Sequence, residues 1–231
     1  MTFWERTKNC SFSNHLVVPE RMGDGTLEVL EQLALSLTTD NRRELLSLAV
    51  IEDDAQYEQV KAFRLQNYQG DYVAKLINAD GSDPHDGHSA IFGAWLGHRL
   101  VATARLTSWP FELSSYIGEP LFMNALGAGW KTSNLEFSRL LVSKDVRIKS
   151  LGRVISGYAA FCAARGSEFT HYIGYAKPII KNNVLRFNFD ENEIYFRIPN
   201  RQNQLYQLLS GSFEADLQAV AKMHPHLLQS L

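Results

Sequence analysis

Hydrophobic and polar positions alternate along this chain with two different periods, and the switches between them outline the elements. In "TLEVLEQLALSL", Leu27, Leu30, Ala34 and Leu37 recur at helical spacing behind Thr26, a suitable N-cap. The short apolar run in "ELLSLAVIEDD" predicts a strand, after which Asp53 or Asp54 caps a helix over "AQYEQVKAFRLQNY". "HSAIFGAWLGHRLVATARLTSW" predicts two strands joined as a hairpin at "LGHR". From Pro110 to Ser133, prolines, glycines and scattered aromatics predict an elaborated connection, and "LEFSRLLVS" a further strand. "LGRVISGYAAFCAARG" is the clearest helix, with Leu151, Val154, Ile155, Tyr158, Ala159 and Cys162 on one face and Gly166 at the C-cap. "FTHYIGYA" predicts a strand, "KPIIKNNVLRFNF" a helix with Pro178 in its first turn, "EIYFRI" a strand, and about Gln202 to Met223 a last amphipathic helix. From Leu45 the order is β-α-β-β-β-α-β-α-β, which implies a mixed α/β sheet. Residues 1–44 are expected to be an N-terminal extension with one helix, and 45–231 one domain ending in a helix.

With 231 residues, 45% of them hydrophobic, the chain can core one domain with an appendage, which excludes disordered and fibrous classes. A net charge of −2 without a basic stripe argues against nucleic-acid binding. Cys10 and Cys162 are too few for a disulfide framework and lack metal-ligand spacing; Cys162 reads as a small buried hydrophobe. No run approaches the roughly 18 apolar residues of a membrane span, and the N-terminus has no signal-like segment. A cytoplasmic protein is expected.

The strand "LEFSRLLVS" is followed at once by the turn "KDVRIKSLGR" and a long helix. The first amides of a helix lack intrahelical partners, and the helix dipole adds positive charge there, so this order suits an anion. Lys144, Arg147, Lys149 and Arg153 face one acid, Asp145, and Gly152 permits close backbone approach. The alternative is a solvated loop with surface charges. Arg147-x-x-Ser150-x-Gly152 in this setting resembles the R/Q-x-x-G-x-G/A pyrophosphate loop of the GNAT superfamily of N-acyltransferases, with Ser150 in place of the first glycine. The resemblance implies an α/β fold whose central mixed, mostly antiparallel sheet splays between two parallel strands, with helices on both faces. It implies that a phosphopantetheine thioester lies in the splay, between "LEFSRLLVS" and "FTHYIGYA". The backbone of Leu141, Val142 and Ser143 would pair with the pantetheine amides, and the loop through Arg147, Ser150, Gly152 and Arg153 would hold the phosphate.

Glu136 and Arg139 stand three apart in that strand, so regular geometry puts them on opposite faces. A one-residue bulge, typical of the superfamily here, would bring both to one side. They would then form an ion pair, or each would bind one end of a zwitterionic amine; the alternative is a structural salt bridge covering the sheet. "LEFSRLLV" is similar to the E-x-S-R strand of the acyl-homoserine-lactone (autoinducer) synthases and the related N-acyl amino acid synthases. "SDPHDGHSAIFGAWLGHRLVATARLTSW" and "FRLQNY" extend the resemblance over about Tyr57 to Ile198. It implies that Arg64, Asp83, Asp86 and Arg105 organise and bind the acceptor, while Glu136 and Arg139 carry the chemistry. The autoinducer synthases have a tryptophan soon after the residue matching Arg64. Here "NYQGDYVAKL" has none, which favours the N-acyl amino acid branch.

The implied reaction moves an acyl group, medium to long, from acyl carrier protein or coenzyme A to the amine of an amino acid or its derivative. No tightly bound cofactor and no metal are expected, although the close pair His85 and His88 in "DPHDGH" has the chemistry of a metal ligand. Acyl carrier protein is the expected partner. Glu136 would be the base, through a water; Arg139 and Arg105 would hold the acceptor carboxylate; an amide near Val142 would face the oxyanion. The helix "KPIIKNNVLRFNFDEN" lacks the tyrosine acid of common acetyltransferases, leaving Tyr175 as a candidate. Phe111, Tyr116, Phe122 and Trp130 are either an acyl-tunnel wall or core. Two rival functions fit the same residues: a coenzyme A-dependent acetyltransferase for small groups, and a non-catalytic module that binds acyl groups or a carrier protein.

Overall fold

The computed structural model describes residues 46–146, 148, 151–178 and 190–223. The expected helix over 26–37, nearly all of the helix expected over 177–189, and the anion-loop residues Arg147, Lys149 and Ser150 lie outside them.

Strand β1 (Leu46–Val50) leads to helix α1 (Asp54–Asn67), whose N-cap is Asp53: its carboxylate accepts the Gln56 amide at 2.7 Å. The hairpin β2 (Ser89–Leu96) and β3 (Arg99–Thr107) follows. The excursion after it contains a 3-10 turn (Glu112–Ser115) and the short helices α2 (Glu119–Leu126) and α3 (Trp130–Ser133). Then come β4 (Asn134–Val142), α4 (Leu151–Gly166), β5 (His171–Ala176), β6 (Asp190–Ile198), β7 (Gln204–Ser212) and α5 (Phe213–Met223). The seven strands form one sheet in the order β1-β2-β3-β4-β5-β7-β6. Among the described residues, its one parallel contact joins β4 to β5, and every other neighbouring pair is antiparallel.

Two expectations are corrected. The helix expected from Gln202 to Met223 is a strand up to Ser212 and a helix only from Phe213. In "QLYQLLSGS", Leu205, Leu208 and Leu209 have helical spacing, but the segment inserts between β5 and β6, where Tyr206, Gln207, Leu208 and Leu209 are all buried. A run buried on both faces carries no alternation to mark it as a strand. Gly166 ends α4 inside the helix and without left-handed backbone, not as the expected cap beyond it.

Each sheet face has its own core. Ala90, Phe92 and Ala94 of β2, with Ala102, Ala104 and Leu106 of β3, pack against α4, and α5 packs on α4 in turn. Sheet on one side and α5 on the other explain why α4 is buried nearly all round and rich in small residues. Cys162 lies in this layer, 1% exposed. On the opposite face, Ile91, Trp95 and Leu100 receive Val60 and Phe63 of α1. Beside them, the excursion packs Phe111, Leu113, Phe122 and Trp130 against Ile173, Phe196, Tyr206 and Leu208. The four aromatics weighed as core or tunnel therefore divide clearly. Phe111, Phe122 and Trp130 are at most 2% exposed and pack on one another with ring centroids 4.7–6.1 Å apart, so they are core, and Tyr116 stacks on Phe196 at their edge.

Candidate active site

The site begins with a defect in β4. Arg105 of β3 faces Ser138, but Thr103 faces Leu141, so β4 spends one extra residue over that interval. Arg139 takes up the difference, with φ at +52°. Left-handed backbone is uncommon for a residue with a side chain and costs on the order of 1–3 kcal/mol, so surrounding contacts must hold it. The expected bulge is therefore present, and it sits at Arg139 itself.

Beyond the bulge, β4 leaves β5. The parallel strands pair only at Asn134–His171, Leu135–Tyr172 and Glu136–Ile173. Past that point they enclose a cavity of about 380 Å³, lined by Phe137 to Leu141 and Lys144 on one side and by Gly174, Tyr175 and Arg201 on the other. Asn67 and Tyr68 at the end of α1, with Asp71 and Val73, complete it. The Ser143 amide donates to Val101 O at 2.8 Å across β3. Because antiparallel partners alternate, the amide and carbonyl of Val142 point the other way, to the edge that β5 has left.

Beneath this cavity lies a buried network of charges. Arg64 clasps Asp86 with two hydrogen bonds of 2.5 and 3.0 Å, and Tyr57 donates to the same carboxylate at 2.7 Å. Arg105 reaches Asp83 at 2.6 Å, Glu112 at 3.1 Å and Ser138 Oγ at 3.1 Å. Arg139 donates to Asp83 Oδ2 at 2.7 Å and to Glu112 Oε2 at 2.8 Å. These contacts offset the strain at Arg139. Burial alone would raise the Asp83 carboxyl, but Arg105 and Arg139 hold it well below the usual range, and Arg64 does the same for Asp86.

Glu136 and Arg139 share this side of the sheet but do not pair. Glu136 is 0% exposed; its Oε2 accepts the Leu113 amide at 3.2 Å, and its Oε1 has no partner. The expected direct ion pair is corrected: Arg139 turns to Asp83 and Glu112. The cluster holds three guanidinium groups (Arg64, Arg105, Arg139) and four carboxyls (Asp83, Asp86, Glu112, Glu136), so a single proton on Glu136 leaves it neutral. Burial first, then the Glu112 charge, pushes the Glu136 carboxyl up to about 7.

Of the residues expected to touch the acceptor, Arg139 lines the cavity; Arg64, Asp83, Asp86 and Arg105 do not. Arg105 is fully buried, with Nε and both Nη nitrogens partnered inside the network, so it positions other groups and is not free to grip a ligand. The nitrogen His88 Nε2 lies 2.9 Å from Pro110 O, which makes it a donor there and takes it out of a metal-ligand role. On the donor side, Leu141 lines the cavity, while Gly152 and Arg153 open α4. A Cβ on Gly152 would meet Val142 and Leu140 at 3.6–3.9 Å, ordinary contact, so packing within the chain does not require that glycine. The Lys144 amide donates to Asn67 Oδ1 at 3.4 Å, tying the start of the basic turn to α1. Sequence reading missed Glu112 and Arg201. Neither carries a motif, and both lie in short 3-10 turns (Glu112–Ser115 and Pro199–Arg201).

The fold as a whole is similar to that of known structures. The acyl-homoserine lactone synthase BjaI, described as coenzyme A-dependent and solved with SAM and isopentyl-CoA, superposes with a TM-score of 0.60 at 18% identity, over 79% of this chain and 89% of its own. FeeM, an N-acyl amino acid synthase from uncultured soil microbes, gives 0.54 at 9% identity, over 75% and 93%. An acyl-CoA N-acyltransferase from Pseudomonas aeruginosa gives 0.50 at 14% identity, over 72% and 99%. The fold is that of the GNAT-like N-acyltransferases. Identities this low establish the GNAT-like architecture and leave the reaction to the site. Neither a protein-family model nor a curated protein sequence matches the chain. Among the described residues, no helix is long and apolar enough to cross a membrane.

Proposed function

We propose that the protein is an N-acyltransferase that moves an acyl group from a phosphopantetheine thioester to the amine of an amino acid or a related small molecule. The observation that carries this reading is the opening of β4 from β5 at the Arg139 bulge, which leaves an unpaired strand edge along a cavity of about 380 Å³. An extended pantetheine arm has amides spaced to pair with such an edge, as an added strand would. Val142 offers it both a donor and an acceptor, and Lys144 just after β4, with Gly152 and Arg153 at the start of α4, receives the phosphate end.

Within the cavity, thioester and amine are held in line, so that the bond from nitrogen to carbonyl carbon forms as the carbon–sulfur bond breaks. The Val142 amide faces the developing oxyanion. Glu136 takes the ammonium proton through a water, because its carboxylate lies one layer behind the cavity wall; a carboxyl near pH 7 is tuned for that transfer. Tyr175 lines the cavity, and burial raises its hydroxyl so that it stays protonated and is able to donate to the leaving thiolate. The GNAT-like neighbours and the E-x-S-R strand support this assignment.

A second reading, transfer of a short acyl group from coenzyme A, is favoured by one observation: Phe111, Phe122 and Trp130 are buried and packed against one another as core. Thiol release measured with coenzyme A and carrier-protein thioesters of increasing length, with and without amines, tests both. Release that depends on the amine supports acyl transfer, and its length profile chooses between the readings. Thioester binding without any amine-dependent release would identify a binding module instead.

A further inference from the structure

A buried cation is normally offset by a carboxylate, because desolvation otherwise leaves it unfavourable. Arg64, Arg105 and Arg139 obey this rule. Arg201 does not. It ends the turn between β6 and β7, is 9% exposed, and lines the same cavity as Lys144. Its guanidinium carbon lies 5.3 Å from the ring centre of Tyr175 and 5.5 Å from that of Tyr206. Its Nη2 donates to Tyr175 Oη at 2.9 Å, the Tyr206 hydroxyl adds a contact, and its Nε is buried without a partner. Among the described residues no carboxylate lies within ion-pairing distance of it; Glu112 acts on it only from farther away.

We propose that Arg201 is a carboxylate subsite of this cavity, so that the ligand bound there carries an acid group which pairs with its guanidinium. Two tyrosine rings set at 85° to each other flank the guanidinium and, with the Tyr175 hydroxyl, restrict its orientation, and a planar, pre-oriented guanidinium selects planar carboxylates. The position suits this role better than that of Arg139, whose charge is already shared between Asp83 and Glu112. On the acyl-transfer reading Lys144 takes the phosphate end of the donor, which leaves Arg201 for a different part of the complex. That part is either the acceptor's own carboxylate or the far carboxylate of a dicarboxylic acyl group. Which of them it is rests on the acyl-transfer reading; binding of a carboxylate does not.

Calorimetric titration of the full-length protein tests the subsite without turnover. The probes are two matched pairs: N-acetyl-leucine with N-acetyl-leucinamide, and N-butylsuccinamic acid with N-butylpentanamide. The acid of at least one pair is expected to bind about 10- to 100-fold more tightly than its neutral partner, as a charge-assisted pair predicts. Preference in the first pair places the carboxylate on the acceptor, and in the second on the acyl group. Arg201→Gln should abolish the preference, and Arg201→Lys should retain part of it. Equal or absent binding within both pairs of the unaltered protein, or a preference that survives in folded Arg201→Gln, overturns the subsite. Thiol release is read separately, so a protein that prefers acids but transfers no acyl group refutes the enzymatic reading and leaves the subsite standing.

Discussion

Replacing Glu136 by Gln tests the charge count of the buried cluster. The side chain keeps its size, and its amide oxygen still accepts the Leu113 amide that Glu136 Oε2 accepts at 3.2 Å. The carboxyl is raised from an ordinary 4.5 to about 7, by burial first and the Glu112 charge second. Between those values the folded chain holds a proton that the unfolded chain releases. Stability of the unaltered protein therefore falls as pH rises through that window. At about 1.4 kcal/mol for each tenfold change in proton affinity, the loss attributable to Glu136 is about 3 kcal/mol. The glutamine variant cannot titrate there. The difference in unfolding free energy, variant minus parent, should be about 2.5 kcal/mol more positive at pH 8.5 than at pH 5, whatever fixed cost the substitution carries. Urea denaturation of both proteins at the two pH values measures it, and titrating groups that do not interact with Glu136 cancel. A difference that stays constant with pH would mean that Glu136 is charged throughout, and the neutral cluster of three cations and four carboxyls would be wrong.

Three further outcomes follow from the same geometry. Arg139→Ala strips the shared cation from Asp83 and Glu112 and should cost about 3–5 kcal/mol in denaturant unfolding, because two buried carboxylates lose a partner. Gly81→Ala should cost about 1–3 kcal/mol in the same assay: its φ is +86°, and an added Cβ would lie inside van der Waals contact of the Lys61 carbonyl on α1. Lys144→Glu should raise the KM for the acyl donor with little change for the acceptor, and carrier-protein turnover in the parent should fall as salt rises; a donor KM unchanged by the substitution would remove the basic turn from the site.

Much of this arrangement was legible in the chain because its signals are local. The Asp53 cap, the hairpin, the strand before the basic turn and the apolar face of α4 each announce themselves within one element. The bulge at Arg139 became readable only through the resemblance of the strand and its basic loop to the GNAT superfamily, since regular alternation places Glu136 and Arg139 apart. β7 was misread because its leucines fit a helix and only its neighbours β5 and β6 make it a strand. Glu112 joins the network from an excursion without periodicity, and Arg201 enters the cavity from a turn between two strands. Both meet the site through tertiary closure alone, as does the finding that Arg105 is sealed behind the wall it was expected to line.

The central claim is that the gap between β4 and β5 joins an acyl thioester to an amine. It is tested most directly by mass spectrometry of the product. Purified protein is incubated with an acyl thioester and a set of ¹⁵N-labelled amino acids, alongside the same mixture without protein. The account predicts a new ¹⁵N-labelled amide formed in proportion to thiol released, and a strong loss of that product with Glu136→Gln. Thiol released with no labelled amide, or an amide yield unchanged by the presence of the protein, would contradict it.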